Sequence, residues 1–510
     1  MTAPDAADVD ALALDALALD ALGAGRPALV SRRRIADLET PVSAALKLIE
    51  PERGDFVLES VEGGATRGRY SLIGLAPDLV FRAVGDRAEI NRRWATDRDA
   101  FAPCEAGALA ALRALVGECR AEMPAGLPPA LACLVGYFAY ETIGLVETLD
   151  RPPANPIDLP DMIFVRPTLI LVFDRLADEL HIVAPVWSGG ADPAAAVAAA
   201  VDRIDAAAAR LDAPFAHAPA RIDLPEAVPE SAMSRENYLA MVGVAKNYIR
   251  AGDIFQVVLA QRFTTPFPLP PIDLYRALRR INPSPFLYHL DMPGFALIGS
   301  SPEILVRARD NEVTIRPIAG TRPRGRTAAE DAENRAGLLA DPKELAEHLM
   351  LLDLGRNDVG RVAEAGSVAV TERFTVEFYS HVMHIVSNVV GRLDPAKDAL
   401  DALFAGFPAG TVSGAPKIRA CQIIAELEPE TRGAYAGGVG YFSPDGSMDS
   451  CIVLRTAVVK DGVMHVQAGA GIVADSDPDA EYRECQAKSR ALFAAANEAF
   501  ARAKEIRYGQ

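Results

Sequence analysis

The segment DPDAEYRECQAK, residues 477–488, carries acidic and basic side chains at a spacing that could support chemistry. Asp477 and Pro478 are typical of a helix start, as the N-cap residue and the first helical position. In that helix Glu481, Glu484 and Lys488 share one face. Glu484 could bind a hard cation such as Mg²⁺, which prefers one or two carboxylates, and Lys488 could bind a substrate carboxylate. The plainer interpretation is a solvent-exposed pair at i, i+4, which contributes only about 0.2–0.5 kcal/mol.

A second acidic pair lies in KELAEHLMLLD, residues 343–353. Glu344 and Glu347 are three residues apart, so a helix places both side chains on one face. The leucines at positions 345, 349 and 352 fall on another face, which predicts an amphipathic helix. Taken alone, this pattern is most typical of an ordinary surface helix.

Glycine-rich loops form the third pattern. GTVSGAPK, residues 410–417, places Gly and Ser before a proline at a predicted helix start, and a stripe of apolar residues follows. Exposed amides at a helix start can bind a carboxylate or a phosphate, although a plain helix N-terminus explains the pattern equally well. The stretches at 437–440 and 469–471 do not fit GxGxxG between a strand and a helix, which argues against a dinucleotide site.

Composition narrows the class of protein and its partners. The chain has 510 residues, with 52 Lys and Arg against 69 Asp and Glu, so the net charge is −17. No basic excess exists to neutralise phosphates, so neither nucleic acid nor an anionic membrane is expected as the main partner. Six cysteines form no CxxC pair, and no apolar run approaches the roughly 18 residues of a spanning helix. We therefore expect a soluble cytoplasmic protein.

The order of predicted elements favours an α+β fold. Strands and helices do not alternate as βαβ units, which argues against a doubly wound parallel sheet. Long apolar runs predict single strands over Phe295–Arg307 and Cys451–Val459, among others. Four segments are predicted: an acidic Ala- and Asp-rich tail at 1–25, a first domain at 26–213, a Pro- and Ala-rich linker at 214–232, and a second domain at 233–505.

Longer motifs follow one another in a fixed order through the second half of the chain. They are GSSPE with Glu303, PIAGT with Thr321, EHLMLLDLGRND with Glu347, HVMHIVS with His384, FPAGTVSGAPK, GAYAGGVGY with Tyr435, IVLRT with Arg455, and EYRECQAK with Glu484 and Lys488. This set resembles the chorismate-utilising enzymes from about residue 234 to the C-terminus. VLESVEGGATRGRYSLIG, residues 57–74, resembles the N-terminal regulatory domain of the family's anthranilate synthase component I branch. The resemblance implies antiparallel sheets packed together with helices outside.

The resemblance also implies a chemistry. In this family chorismate, a dicarboxylate, binds with Mg²⁺, a nucleophile adds to the ring, and the C4 hydroxyl leaves. Glu347 and Glu484 would hold the metal, and Glu303 would protonate the departing hydroxyl if its pocket raises its pKa. His384 would assist the later loss of pyruvate, since an imidazole pKa near roughly 6.5 suits proton transfer near neutrality. Thr321 belongs to the catalytic set as well, and the substrate-binding positions would be Gly320, Thr321, Tyr435, Arg455, Gly469, Ala470, Gly471 and Lys488.

Two positions separate the branches of the family. The aminodeoxychorismate branch resembles PIKGT with a nucleophilic lysine, where this chain has Ala319. The isochorismate branch has a water-activating lysine where this chain has Gln256. Both differences favour ammonia as the nucleophile and anthranilate and pyruvate as products, the first committed step of tryptophan synthesis. Aminodeoxychorismate synthase component I, and a non-catalytic amino-acid-binding subunit with the same fold, remain the alternatives.

The resemblance further implies two kinds of partner. No glutaminase segment is found in the chain, so ammonia would come from a glutamine amidotransferase subunit in a hetero-oligomer. The family is also inhibited by L-tryptophan, and the positions that match are Glu59, Ser60, Pro285, Phe286 and Leu287. A serine hydroxyl beside a rigid Pro-x-Pro turn could bind an amino acid, although a strand and a turn explain the residues without a ligand. Many relatives have Tyr-Met where this chain has Phe-Leu.

Overall fold

Two antiparallel sheets and eleven α-helices make up the part of the chain that the computed structural model describes, residues 6–62, 66–149, 154–187, 192–215, 222–379 and 382–504. The helices are α1 (Ala6–Gly23), α2 (Pro41–Leu48), α3 (Ala108–Glu118), α4 (Pro193–Asp212), α5 (Arg235–Ala251), α6 (Pro271–Ile281), α7 (Ala328–Ala340), α8 (Pro342–Gly360), α9 (Ala399–Gly406), α10 (Lys417–Leu427) and α11 (Pro478–Lys504).

The strands are short and numerous. They are β1 (Ala28–Ile35), β2 (Asp55–Glu62), β3 (Thr66–Leu75), β4 (Leu79–Val84), β5 (Arg87–Asn91), β6 (Ala102–Pro103), β7 (Leu134–Phe138), β8 (Met162–Arg166), β9 (Leu169–Asp174), β10 (Glu179–Val186), β11 (Glu230–Ser231), β12 (Gln256–Pro266), β13 (Phe286–Met292), β14 (Phe295–Ser301), β15 (Ile304–Arg309), β16 (Glu312–Ile315), β17 (Ile318–Pro323), β18 (Ala369–Phe378), β19 (Val382–Arg392), β20 (Gly414–Ala415), β21 (Gly438–Phe442), β22 (Met448–Ile452), β23 (Thr456–Lys460) and β24 (Val463–Ile472).

Each sheet combines strands from both halves of the chain. The first sheet has the order β1-β10-β9-β3-β2-β13-β14-β23-β24-β12-β11, with β20 paired to β12. The second has the order β17-β19-β16-β15-β22-β21-β7-β8-β4-β5-β6, with β18 paired to β19. The pairings are antiparallel, as between β14 and β23 and between β7 and β21. The α+β fold is confirmed, whereas the domain boundaries stay a prediction.

The chain crosses from one sheet to the other at two places where the sequence predicts unbroken strands. Residues 302–303 separate β14 in the first sheet from β15 in the second. Residues 453–455 separate β22 in the second sheet from β23 in the first. The predictions of single strands over Phe295–Arg307 and Cys451–Val459 are therefore wrong. Most residues on both sides of each crossing are apolar and buried, so one ionisable residue, Glu303 or Arg455, does not distinguish a change of sheet from a continuous strand.

Aromatic side chains join the two sheets in one core. The ring of Tyr137 in β7 lies 5.9 Å from that of Phe295 in β14, at 85° to it. Every residue of β7 is buried, and the same holds for β14. Full burial of a large apolar side chain such as that of Phe295 stabilises the fold by roughly 1.5–3 kcal/mol.

Helix α1 occupies the segment predicted as a tail. Both carboxylate oxygens of Asp15 accept hydrogen bonds from Arg32 of β1, at 2.9 and 2.8 Å. Ala18 is buried in the core, so this helix is docked on the sheet. Among the helices of the described ranges, none is long and apolar enough to cross a membrane.

A buried ion pair fixes the loop between α9 and α10 to the first sheet. The Arg432 guanidinium donates to both carboxylate oxygens of Glu428, at 2.8 and 2.6 Å. It also donates to the carbonyl oxygens of Val412 and Val258, each at 2.7 Å. Arg432 and Glu428 are almost completely buried, so their mutual attraction is little screened by water.

Replacing one member of this pair should destabilise the whole fold. We expect Arg432→Met to lower the free energy of unfolding by about 3–5 kcal/mol, because Glu428 becomes a buried charge without a cationic partner. The control is Arg419→Met, which removes a half-exposed pair with Asp253 and should cost about 0–1 kcal/mol. Urea denaturation measures both variants. Equal losses in the two would contradict the structural role of the buried pair.

Candidate active site

A cavity of about 530 Å³ lies between the two sheets and is closed on one side by α8 and α11. Both sheet crossings open onto it. The structure brings together in its wall most residues that the motifs select: Glu303, Gly320, Thr321, Glu347, His384, Tyr435, Arg455, Gly469, Gly471, Glu484 and Lys488. Ala470 is the exception, since it lies between Gly469 and Gly471 on β24, and successive side chains of a strand point to opposite faces.

Glu303 lies in the first crossing, between β14 and β15. Its side chain is buried and faces the cavity. Burial raises the pKa of this carboxyl to about 8, while the Thr411 hydroxyl and the Ile318 backbone partly oppose that shift. Glu303 is therefore mostly protonated at neutral pH, the state that a general acid needs.

His384 on β19 is held by its Nδ1 atom. This nitrogen lies 3.0 Å from the Gly320 carbonyl oxygen, which can only accept, so Nδ1 carries the proton. The Thr321 hydroxyl oxygen is 3.1 Å from the same nitrogen. Burial lowers the imidazole pKa to about 4, so the ordinary value near 6.5 expected from sequence is wrong for this site. His384 is neutral at pH 7, with a lone pair on Nε2.

Four glutamates from two helices face the same cavity. Glu344 and Glu347 project from α8, and Glu481 and Glu484 from α11. Burial raises the pKa of Glu347, and the neighbouring charges of Glu344 and Glu484 add to the shift. Burial likewise raises the pKa of Glu481, with Glu484 adding to it. Such mutual repulsion among carboxylates is relieved by a cation.

Two cationic side chains balance the acidic wall. Lys488 donates to the Gly469 carbonyl oxygen at 2.9 Å and pairs with Glu484 at 2.8 Å. Arg455, in the second crossing, has a positive φ of 48° and lines the cavity. Burial lowers the pKa of its guanidinium, and no carboxylate within the described ranges pairs with it. An anionic group entering the cavity would meet an unpaired cation there.

Two glycines keep the cavity open. A Cβ atom at Gly469 would lie 2.8 Å from the Tyr435 hydroxyl and 3.0 Å from the Leu259 carbonyl oxygen. At Gly471 it would lie 2.5 Å from Gln256 Nε2. Side chains at these positions would clash with the cavity wall, so the strand presents bare backbone to a ligand.

A second cavity, of about 420 Å³, is lined by all five residues that match the regulatory motif, Glu59, Ser60, Pro285, Phe286 and Leu287. It lies where β2 and β13 pair, with Leu287 opposite Glu59. Arg307 and Asp449 of the second sheet complete its wall. This second cavity is separate from the first one and shares no lining residue with it.

The carboxylate of Glu59 already has several partners. Arg279 donates to it at 2.9 and 3.1 Å, and Arg175 at 2.8 Å. The Tyr275 hydroxyl donates at 2.5 Å. The Glu59 carboxylate is 2% exposed, and its contacts anchor α6 to β2. A ligand in this cavity would therefore contact the backbone of Glu59.

Sequence reasoning missed several cavity residues. It assigned no role to Thr411, Gln467 or Glu481, all of which line the cavity. The signal for Gln467 was available, since it precedes Gly469 and Gly471 at intervals of two on one strand and must share their face. Glu481 lies three residues before Glu484, so the sequence also indicated that both share one face of α11.

Removing the ionisable group at position 303 should make stability less dependent on pH. In the unfolded chain this carboxyl ionises near its ordinary pKa of 4.5, whereas the folded chain keeps the proton up to about 8. The folded state therefore loses stability as pH rises between these values. We expect Glu303→Gln, which cannot ionise, to be more stable than the natural chain by a few kcal/mol at pH 9 and by little at pH 5.

Urea unfolding across this pH range measures the difference. Glu312→Gln, at an exposed position, is the matched control and should show no such trend. A Glu303→Gln effect of the same size at low and high pH would contradict the raised pKa.

Comparisons with known proteins identify the family. The model of the family described as chorismate binding enzyme matches residues 65–494. Anthranilate synthase component 1 from Cereibacter sphaeroides is 55% identical over 482 residues, covering 93% of this chain and 96% of the relative. The protein of the same name from Thermus thermophilus is 48% identical over 463 residues, covering 90% and 96%.

Solved structures give the same result. Anthranilate synthase component I from Streptococcus pneumoniae superposes with a TM-score of 0.74 at 34% identity, covering 90% of this chain and 99% of that one. The menaquinone-specific isochorismate synthase from Escherichia coli has a TM-score of 0.68 at 20% identity, covering 94% and 99%, and shows the fold alone. With one family model over most of its length and relatives this similar, the chain belongs to the chorismate-binding enzyme family.

Proposed function

We propose that this chain is the chorismate-converting component of an anthranilate synthase. It converts chorismate and ammonia to anthranilate, pyruvate and water. The observation that carries the proposal is a buried, protonated Glu303 that shares a cavity with an unpaired Arg455. Relatives with the name anthranilate synthase component 1, at 48–55% identity over nine-tenths of the chain, support this branch of the family.

In the first half-reaction the chain binds an anionic substrate and supplies a proton. Arg455 and Lys488 attract the carboxylates of chorismate, and the backbone at Gly469 and Gly471 leaves room for the ring. Ammonia adds to the ring carbon beside the carboxylated one, the ring double bond shifts, and the C4 hydroxyl leaves. Glu303 donates the proton that turns this hydroxyl into water.

The second half-reaction needs a base instead. Pyruvate leaves when a proton is removed from the aminated ring carbon and a proton reaches the enolpyruvyl group. His384 suits the first task, because its Nε2 lone pair is free while Nδ1 is fixed by the Gly320 carbonyl. The Thr321 hydroxyl, 3.1 Å from Nδ1, keeps the ring oriented. The ring product is anthranilate.

The acidic residues of the cavity fit a magnesium ion. Glu347 and Glu484 would hold it, with Glu344 and Glu481 adjacent, and oxygen donors are those that Mg²⁺ prefers. Among the described residues no three metal-ligating side chains converge closely enough to form a complete site, so substrate oxygens and water would supply the remaining ligands. Bound there, Mg²⁺ would neutralise the ring carboxylate and draw electron density from the ring.

Two further parts of the proposal concern partners. Ala319 offers no amine and Gln256 no base for water, which supports ammonia as the nucleophile. The ammonia would come from a glutamine amidotransferase subunit, as the name component 1 of the relatives implies a second component. L-Tryptophan would bind in the second cavity, where Ser60, Phe286 and Leu287 offer a hydroxyl and apolar surfaces.

The direct test is to incubate the purified chain with chorismate, ammonium and Mg²⁺. Mass spectrometry should detect anthranilate and pyruvate in equal amounts. Aminodeoxychorismate without pyruvate release would assign the chain to the folate branch, and no consumption of chorismate would identify a non-catalytic relative.

Either metal-binding glutamate should be essential. We expect Glu347→Gln and Glu484→Gln to abolish turnover with ammonia and with glutamine while the fold stays intact, because each removes one anionic ligand of a two-carboxylate site. Activity is measured at limiting and saturating Mg²⁺, with Glu426→Gln on the distant α10 as control. Near-normal activity of either variant at limiting Mg²⁺ would refute the metal assignment.

His384 should matter to one half-reaction alone. We expect His384→Met to consume chorismate and ammonia but to accumulate the aminated intermediate that still carries the enolpyruvyl group. The loss of a base slows a step by roughly 10²–10⁴-fold, so the second step becomes limiting. Chromatography of the reaction mixture separates intermediate from product. Normal release of anthranilate, or no chorismate consumption at all, would contradict the assignment.

Tryptophan sensitivity should depend on the second cavity. We expect Ser60→Phe, which fills it, and Leu287→Asn, which makes its wall polar, to weaken inhibition at least tenfold with little change in the uninhibited rate. Tryptophan titration of the initial rate measures this. Unchanged inhibition in both variants, or parallel loss of rate and inhibition, would place the effector site elsewhere.

A further inference from the structure

A buried hydrogen bond joins α8 to β19 beside the catalytic cavity. The His348 Nε2 atom on α8 lies 2.7 Å from the Ser387 Oγ atom on β19, and both residues are completely buried. Glu347 directly precedes His348 on the helix. His384 lies three residues before Ser387 on the strand. The bond therefore connects the element that carries a proposed metal ligand to the element that carries the proposed base.

The neighbours of this bond determine its direction. The backbone N–H of Phe374, on β18, donates to Ser387 Oγ at 3.1 Å. Because the Ser387 hydroxyl has no other acceptor among the described residues, its own proton is donated to His348 Nε2. Burial lowers the pKa of His348 to about 4, so the imidazole is neutral at pH 7 and can accept. The Phe374 ring packs against the imidazole, with centroids 4.9 Å apart at 64°.

The pair of His348 and Ser387 contributes orientation more than stability. His348 begins the stripe of α8 that is buried against the second sheet, and Leu352, Gly355 and Val359 continue it without a polar side chain. The Nδ1 atom of His348 has no hydrogen-bond partner among the described residues. Since a buried polar atom without a partner costs free energy, an apolar pair of similar shape would be about as stable or more so. A hydrogen bond, however, requires one alignment of its two atoms, whereas apolar surfaces can slide.

The position of the Glu347 carboxylate depends on that alignment. Glu347 lies on the adjacent face of α8 together with Glu344 and Leu351, and all three line the catalytic cavity. The hydrogen bond that its carboxylate accepts from Gln256 Nε2 is long, at 3.3 Å. A shift of α8 on the second sheet would therefore carry this carboxylate with it. Because metal–ligand distances hold within about 0.2 Å, even a small shift would weaken metal binding.

We propose that His348 and Ser387 are positioning residues, whose hydrogen bond holds α8 at one alignment on β19 and so sets the distance between the Glu347 carboxylate and the His384 imidazole. The proposal rests on the proposed function, since that function gives Glu347 to the metal and His384 to the proton transfer. Neither His348 nor Ser387 lines the cavity, so both act through their neighbours. A purely structural role would lower the maximal rate alone, because fewer molecules would be folded. A displaced ligand instead raises the Mg²⁺ concentration that gives half the maximal rate.

Substitutions in the full chain separate orientation from stability. Ser387→Ala and His348→Leu should each raise the Mg²⁺ concentration for half the maximal rate about tenfold, as expected when a group that orients a metal ligand is lost. The double variant leaves neither side chain's polar group behind, so urea unfolding should find it at least as stable as either single variant, while the Mg²⁺ requirement stays raised. His348→Gln can still bond to the Ser387 hydroxyl and should remain close to the natural chain. The control Thr142→Val removes a buried hydroxyl that donates to the Ala139 carbonyl oxygen at 2.7 Å, and should not change the Mg²⁺ requirement.

Hydrogen exchange of the metal-free chain, measured by mass spectrometry without substrate, gives a second readout. Residues 342–352 of α8 should exchange faster in Ser387→Ala and in the double variant than in the natural chain, with α10 unchanged. The positioning role is overturned by equal exchange of α8, by an unchanged Mg²⁺ requirement in the double variant, or by a double variant less stable than both single ones. It is also overturned if His348→Gln needs as much Mg²⁺ as His348→Leu. If the natural chain forms no anthranilate, the proposed function fails, and the exchange of α8 still decides whether the bond holds the helix.

Discussion

The backbone passes between the two sheets at residues 302–303 and again at 453–455, and the catalytic cavity depends on these crossings. At each crossing the backbone hydrogen bonds between neighbouring strands stop. The side chains there face the gap between the sheets instead of the packed interior or bulk water. Glu303 occupies one crossing and Arg455 the other. A carboxyl and a guanidinium could not lie within either sheet without a partner, because burial of an unpaired ionisable group is costly. The gap between the sheets accommodates both.

Burial then gives these groups their chemistry. The same low-polarity surroundings raise the pKa of Glu303 to about 8 and lower that of His384 to about 4. At neutral pH the pocket therefore holds a protonated carboxyl and a neutral imidazole, which is a matched acid and base. The acidic residues of α8 and α11 lie at the wetter side, where Glu484 is 47% exposed and a hydrated cation could enter. The proposed acid–base residues and the proposed Mg²⁺ ligands thus differ in their distance from water.

The sequence was sufficient to predict the fold class and most cavity residues, because each ordered motif, such as IVLRT, specifies both the residue types and their spacing. It could not give the two strand breaks, since the apolar runs around Glu303 and Arg455 look the same whether a strand stays in one sheet or changes sheets. Ala470 was selected together with its neighbours in a motif, although the alternation of side chains along a strand already argues against its facing the cavity. The His384 pKa and the saturated Glu59 carboxylate depend on long-range packing, which no local pattern contains.

The protonation state of Glu303 is the central claim, and infrared difference spectroscopy tests it most directly. The spectrum of the natural chain minus that of Glu303→Gln isolates the carbonyl stretch of this one carboxylic acid. The account predicts that the protonated band is present at pH 7 and disappears as pH rises through about 8. A band that is already absent at pH 6 would show an ionised Glu303, and the general acid would then have to be another residue.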